Sequence, residues 1–160
     1  MYIAILIGIL LFDQITKVIV AANNTNMTII EGVFSFQYVK NPGAAFSFLA
    51  DSGWAYLLFI CISSVALVIM MVIFFRAKSR FLKLSIIILV AGAAGNLIDR
   101  IAFQYVRDFI NIEFFANFNI ADMAATAGVI MVIIYMLFLS KDPIIRLKKK
   151  DRDGKKEIDG

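Results

Sequence analysis

Histidine is absent from the 160 residues, and cysteine occurs once. Without imidazole the chain cannot be a serine–histidine intramembrane protease, a zinc peptidase built on an HExxH helix, or a histidine-dependent lipid phosphatase. Any hydrolysis must run on carboxylates, hydroxyls or lysine. The lone cysteine, Cys61, permits no disulfide within the chain, and its place in an apolar run predicts a packed core thiol. Polar residues are also scarce: 61% of the chain is hydrophobic and the mean hydropathy is +0.85. A soluble domain of this size needs far more polar surface, so lipid must be the solvent for most of it.

What is present in quantity is apolar sequence in long runs. A helix needs roughly 20 apolar residues to cross the ~30 Å hydrocarbon core of a bilayer. Four such runs are predicted, at Tyr2–Ala22, Trp54–Phe75, Leu84–Ile101 and Ile120–Leu139. The first lacks a basic leading segment, is long, and carries Asp13 and Lys17, so it reads as a permanent helix rather than a cleavable signal. The predicted fold class is an all-α integral membrane protein of four transmembrane helices. It is expected to form one domain over residues 1–139, followed by a basic, disordered tail at 140–160.

The net charge of +4 is distributed unevenly. Twelve of the 16 basic residues lie between Arg76 and Lys83 or beyond Leu139. The segments on the other side, Asn23–Asp51 and Ala102–Phe118, hold only Lys40 and Arg107. The positive-inside rule then places both termini in the cytoplasm and these two segments outside. The charge is a topology signal and gives no reason to expect a nucleic-acid partner, although the tail can meet anionic lipid. Within the first outer segment, Met27–Ile30 and Phe34–Lys40 flank Glu31-Gly32, a pair suited to a turn. Phe34, Phe36 and Tyr38 alternate with Ser35 and Gln37. A small surface β-hairpin between the first two helices is predicted.

Ionisable side chains inside a span are costly unless paired or facing a polar cavity. Asp13 and Lys17, at i and i+4, share a face and can pair, for structure or for function. Gly92, Gly95, Asn96 and Asp99 form one stripe of the third helix, with Arg100 available to neutralise a carboxylate. The stripe suits close helix packing as well as chemistry. Asn119, Asp122 and Thr126 look to one side of the fourth helix, where Asn119 can cap and Asp122 can meet the helix dipole. That packing account leaves Asp108, in an apolar setting of the second outer loop, unexplained. Two carboxylates converging on a partly dry site share a proton, and such a pair can activate water against a carbonyl.

At these residues the chain resembles the lipoprotein signal peptidase (signal peptidase II) family of bacterial membrane aspartic peptidases. Five blocks carry the likeness in order: Asp13-Gln14-Ile15-Thr16-Lys17, Asn41-Pro42-Gly43-Ala44-Ala45-Phe46, Gly95-Asn96-Leu97-Ile98-Asp99-Arg100, Val106-Arg107-Asp108-Phe109 and Phe118-Asn119-Ile120-Ala121-Asp122. The resemblance implies that Asp108 and Asp122 are the catalytic pair. It implies supporting or substrate-binding roles for Asp13, Lys17, Asn41, Gly43, Asn96, Asp99, Arg100 and Asn119, with no metal and no cofactor. It also implies a surface β-cradle; a monomer in the bacterial cell membrane is expected, with the active site at the outer face that the charge distribution assigns. The substrate would be a diacylglyceryl-prolipoprotein, cut just before its lipidated cysteine.

Three other readings of the same residues are distinguishable. A channel or transporter relay predicts polar groups spread through the bilayer depth, whereas these cluster at one end. An assembly factor would use them only to hold helices together. A serine–lysine peptidase would need a serine near Lys17, for which Ser47 is the candidate.

Overall fold

The computed structural model describes residues 1–43 and 55–140. The expectations placed on Ala44, Ala45, Phe46, Ser47, Trp54 and the tail from Lys141 lie outside these residues. Helix α1 spans Tyr2–Ala22, and strands β1 (Asn26–Ile30) and β2 (Phe34–Asn41) follow it. Helix α2 spans Ala55–Arg76 and α3 spans Arg80–Phe103. Strands β3 (Val106–Ile112) and β4 (Ala116–Phe118) lead into α4 (Ile120–Ile134), which ends in a π-helical turn at Tyr135–Leu139. Among the described residues, four helices are long and apolar enough to cross a membrane.

The helix limits move little from those predicted, and the largest shift, at α3, has local causes. Helix α3 starts four residues early because the Ser79 hydroxyl accepts from the Leu82 amide at 3.3 Å. This cap offsets the polar start of the run. Its end moves out to Phe103, where Gln104 takes a left-handed conformation and donates to the Arg100 carbonyl. Helix α3 is the central one and packs against α1, α2 and α4. It supplies the buried apolar centre, Ile86, Ile87, Val90 and Ala91. Backbones of α3 and α4 come together at glycines: a Cβ on Gly92 would strike the Ala121 carbonyl, and one on Gly128 would lie 2.6 Å from Leu89. Small residues permit such an approach, which in lipid replaces the hydrophobic drive as the source of helix association. Elsewhere the surface is apolar, as lipid-facing helices require: Val65, Val68 and Phe138 are all well exposed. Cys61 belongs to this outer surface, so the expected core thiol is corrected. With α2 nearly uniform in hydropathy, periodicity had no power to choose its buried face.

Strand residues form one antiparallel sheet in the order β1-β2-β3-β4. The predicted turn forms, with Gly32 at φ +69 and the Val33 amide bonded to the Ile30 carbonyl. The hairpin is nonetheless only half of the sheet. β2 pairs with β3, aligning Val39 with Asp108, Lys40 with Arg107 and Asn41 with Val106. Asp108 therefore sits in a strand, not in a loop. Val106, Arg107, Asp108 and Phe109 are all buried, so β3 lacks the two-residue alternation that exposes a half-buried strand to sequence reading.

The sheet lies at one end of the bundle, since its strands join α1 to α2 and α3 to α4. At the opposite end the Tyr2 hydroxyl donates to the Arg80 carbonyl, and its ring meets Phe74 edge-on.

Candidate active site

Where the sheet meets α1, α3 and α4, the costly polar residues of the chain converge. Asp13, Lys17, Asp99, Asp108 and Asn119 are each about 1% exposed or less. Burial at that depth requires every polar atom to find a partner, and among the described residues no buried side-chain nitrogen or oxygen lacks one.

Asp108 and Asp122 are held by asparagines. Asn41 Nδ2 donates to Asp108 Oδ2 and Asn119 Nδ2 to Asp108 Oδ1, both at 2.7 Å. Asn96 Nδ2 donates to Asp122 Oδ1 at 2.7 Å, and the Asn119 amide to Asp122 Oδ2 at 3.1 Å. All four carboxyl oxygens thus carry a donor, which fixes both planes. The amide orientations follow from the network. Lys17, which can only donate, holds Asn96 Oδ1 at 3.0 Å, so Nδ2 must face Asp122. Asn119 Oδ1 accepts from the Asp122 amide at 3.0 Å, completing a capping box at the start of α4. The capping account predicted for Asn119 and Asp122 is correct, and the same asparagine also grips Asp108. Burial raises the pKa of Asp108 from 3.8 to about 6, and the Asp122 charge pushes the same way against the Asn41 and Asn119 hydrogen bonds.

A second layer is ionic. Lys17 Nζ lies 2.8 Å from Asp13 and 3.5 Å from Asp99. Asp13 Oδ1 in turn accepts from the Ala121 amide at 2.8 Å, tying α1 to the first turn of α4. Asp99 is paired by Arg107, not by its neighbour Arg100: Arg107 donates through its amide, Nε and Nη2 at 2.7–3.1 Å. Arg100 instead stands over the Phe59 ring at 5.5 Å, its charge felt by Asp122 and Asp108. Gly43, at φ +106, donates to Asn41 Oδ1 at 2.8 Å, and a Cβ there would meet the Phe59 ring. The positive φ is the one a type II turn needs after Pro42.

Each predicted site residue is thus drawn to one region. Two participants escaped prediction, Gln14 and Arg107. Gln14 bonds Asp13, the Gly95 carbonyl and Arg107. Its signal was an uncharged polar group inside an apolar span, which is as costly there as a charge. Arg107 gave no such signal, because a basic residue in an outer loop looks solvated until β3 is known to be buried. Removing a partner from a buried ion pair costs about 3–5 kcal/mol. Arg107→Ala should therefore lower thermal stability in detergent by about that much. Arg107→Lys should rescue little, since an ammonium cannot reproduce the fork on Asp99. Full recovery by lysine would show that charge alone matters there.

A family model described as signal peptidase (SPase) II matches residues 5–138. The chain belongs to the signal peptidase II family. The lipoprotein signal peptidase of Clostridium tetani is 38% identical over 145 residues, covering 84% of this chain and 90% of that one. That of Geobacter sulfurreducens is 36% identical over 143 residues, covering 84% and 89%. A bacterial membrane enzyme solved by the in meso method at 1.9 Å resolution superposes with a TM-score of 0.76 at 34% identity, covering 87% of this chain and 94% of that one. This signal peptidase II is therefore a membrane peptidase that processes lipoprotein precursors, and the peptidase reading displaces the channel and assembly-factor readings.

Proposed function

We propose that Asp108 and Asp122 are the catalytic pair with which this signal peptidase II cuts a diacylglyceryl-modified precursor on the N-terminal side of its lipidated cysteine. The observation that carries the reading is the double role of Asn119. Its side chain donates to Asp108 while its amide donates to Asp122, so one residue sets both carboxyls relative to each other. The ionised member takes a proton from water as the water attacks the scissile carbonyl. The protonated member donates to the carbonyl oxygen, and the proton passes on to the leaving amine. Asn41, Asn96 and Asn119 orient the pair; Asp13, Lys17 and Asp99 hold those asparagines in place; Gly43 and Arg100 face the peptide.

Residues 1–139 act as one peptidase domain, monomeric in the bacterial cell membrane, with both termini cytoplasmic. The sheet then lies at the outer surface as a cradle, supported by the excess of basic residues at the opposite end of the bundle. Single cysteines at Asn24 and Lys78, in a Cys61→Ser background, should label from outside and inside respectively. Labelling of both from one face would overturn this orientation. The catalytic proposal is tested by cleavage of a lipidated precursor by purified protein. Loss with either Asp→Asn variant and indifference to chelators support it; normal turnover by either variant refutes it.

A further inference from the structure

The turn between β3 and β4 presents two phenylalanines that no core contact explains. Phe114 is 98% exposed and Phe115 80% exposed, and Phe114 has φ +67. A bulky residue in the left-handed region is strained, so the turn holds an unfavourable backbone in order to aim its neighbour. Phe115 and the small Ala116 beside it line two separate cavities, with Phe115 the bulky member of the shared boundary. One, of about 530 Å³, is bounded by Asn41, Gly43, Arg100 and Asn117 and is partly polar. The other, of about 460 Å³, runs along α4 past Asp122, Met123, Thr126, Ala127 and Ile130.

We propose that Phe115 is a specificity-determining wall: it divides the pocket that takes the scissile peptide from a furrow on α4 that takes one acyl chain of the lipidated cysteine. The inference rests on the lipidated-precursor reading above. Three features select the occupant. Met123, Thr126, Ala127 and Ile130 follow one stripe of the helix, and the small pair between the larger ends makes a shallow trough. A trough one side-chain row wide suits a polymethylene chain, whereas a peptide helix of ~10–12 Å diameter needs a broader seat. Asp122 is the ionisable residue of the lining and stands in the first turn of α4. A chain lying in the furrow therefore has its glyceryl thioether end beside Asp122. Binding there exchanges one apolar medium for another and adds little affinity; its effect is on position, and so on kcat.

The test uses purified enzyme and matched precursors whose cysteine carries either dipalmitoylglyceryl or diacetylglyceryl. Ala127→Phe fills the furrow and Phe115→Ala removes the wall. Ala127→Phe should lower kcat for the dipalmitoyl precursor about 10- to 100-fold, with KM and the diacetyl rate little changed. Phe115→Ala opens both pockets, so it should lower the dipalmitoyl rate by a larger factor than the diacetyl rate and abolish the preference for long chains. Phe115→Trp, which keeps a wall, and Phe114→Ala, which changes only its neighbour, should retain the preference for long chains. Equal proportional losses on both precursors would overturn the proposal and point to the signal peptide's apolar segment as occupant, or to a structural role. Unchanged rates for both variants would overturn it as well. The catalytic reading fails separately, through an active Asp108→Asn variant or a wild-type enzyme that cuts neither precursor, and in the latter case the furrow proposal falls with it.

Discussion

Asp108→Asn and Asp122→Asn should each lower turnover of a lipidated precursor by about 10³-fold or more, and the double variant should be little worse. In the proposed mechanism the two carboxyls do one job, so non-additivity is expected; with either gone, the other has no partner with which to share a proton. Insertion and accumulation should persist, since an asparagine is close in volume to the carboxyl it replaces. Dependence on pH gives an independent measure. With its pKa at about 6 instead of 3.8, Asp108 keeps a proton in the folded protein that it would release on unfolding. Its contribution to stability is therefore complete below 3.8 and is lost as pH rises through about 6. The proposed mechanism needs one shared proton on the pair, which titrates as a unit. The value of kcat/KM, which reports the free enzyme, should fall as pH rises above about 6. A bound peptide dries the site further, so kcat should hold to higher pH. A kcat/KM profile flat through this range would mean that the Asp108 proton plays no part.

Removing the lipid from the substrate should have the next largest effect. An unlipidated precursor still enters the membrane through its apolar segment and reaches the site, but its cysteine is not fixed at the depth of the carboxylates. Asp108 lies on the strand and Asp122 in the first turn of α4, so both sit at the boundary of the spans. Orientation of a reacting bond can be worth ~7–11 kcal/mol in favourable cases, and loss of even part of it is severe. Single-turnover rates should fall about 10²-fold or more, with KM changing much less. Equal rates for matched precursors with and without the lipid would reduce specificity to the peptide sequence.

Much of this protein is legible because lipid punishes polarity. Asp13, Lys17, Asn96 and Asp99 announce themselves as costly residues in apolar runs, and helical spacing places them on shared faces before any coordinates exist. The four spans follow from length and hydropathy by the same logic. The asparagine cap of α4 was equally readable, as a local rule. What escaped is what depends on pairing distant segments. β3 looks like a loop until it is laid against β2, and only that pairing buries Arg107 and turns Asp108 inward. Asn41 reaches Asp108 across 67 positions of sequence, a contact no periodicity encodes. Arg100 does act on carboxylates, Asp122 and Asp108, as its place on the stripe suggested, but the guanidinium that reaches Asp99 comes from the strand, a pairing that adjacency along the helix does not encode.

Helix α2 stands apart from the polar network, which draws its side chains from α1, β2, α3, β3 and α4. It carries the most apolar span, with none of that span buried, and offers the site the ring of Phe59 beneath Arg100. A bilayer thicker or thinner than the bundle must be accommodated by tilt somewhere, at a fraction of a kcal/mol per Å. Tilting α1, α3 or α4 would break buried ion pairs and glycine contacts; tilting α2 slides apolar surface over apolar surface and reaches the site only through Phe59, beneath Arg100 and beside Gly43. Tilt is therefore least costly at α2, where one aromatic ring is what the polar network has at stake.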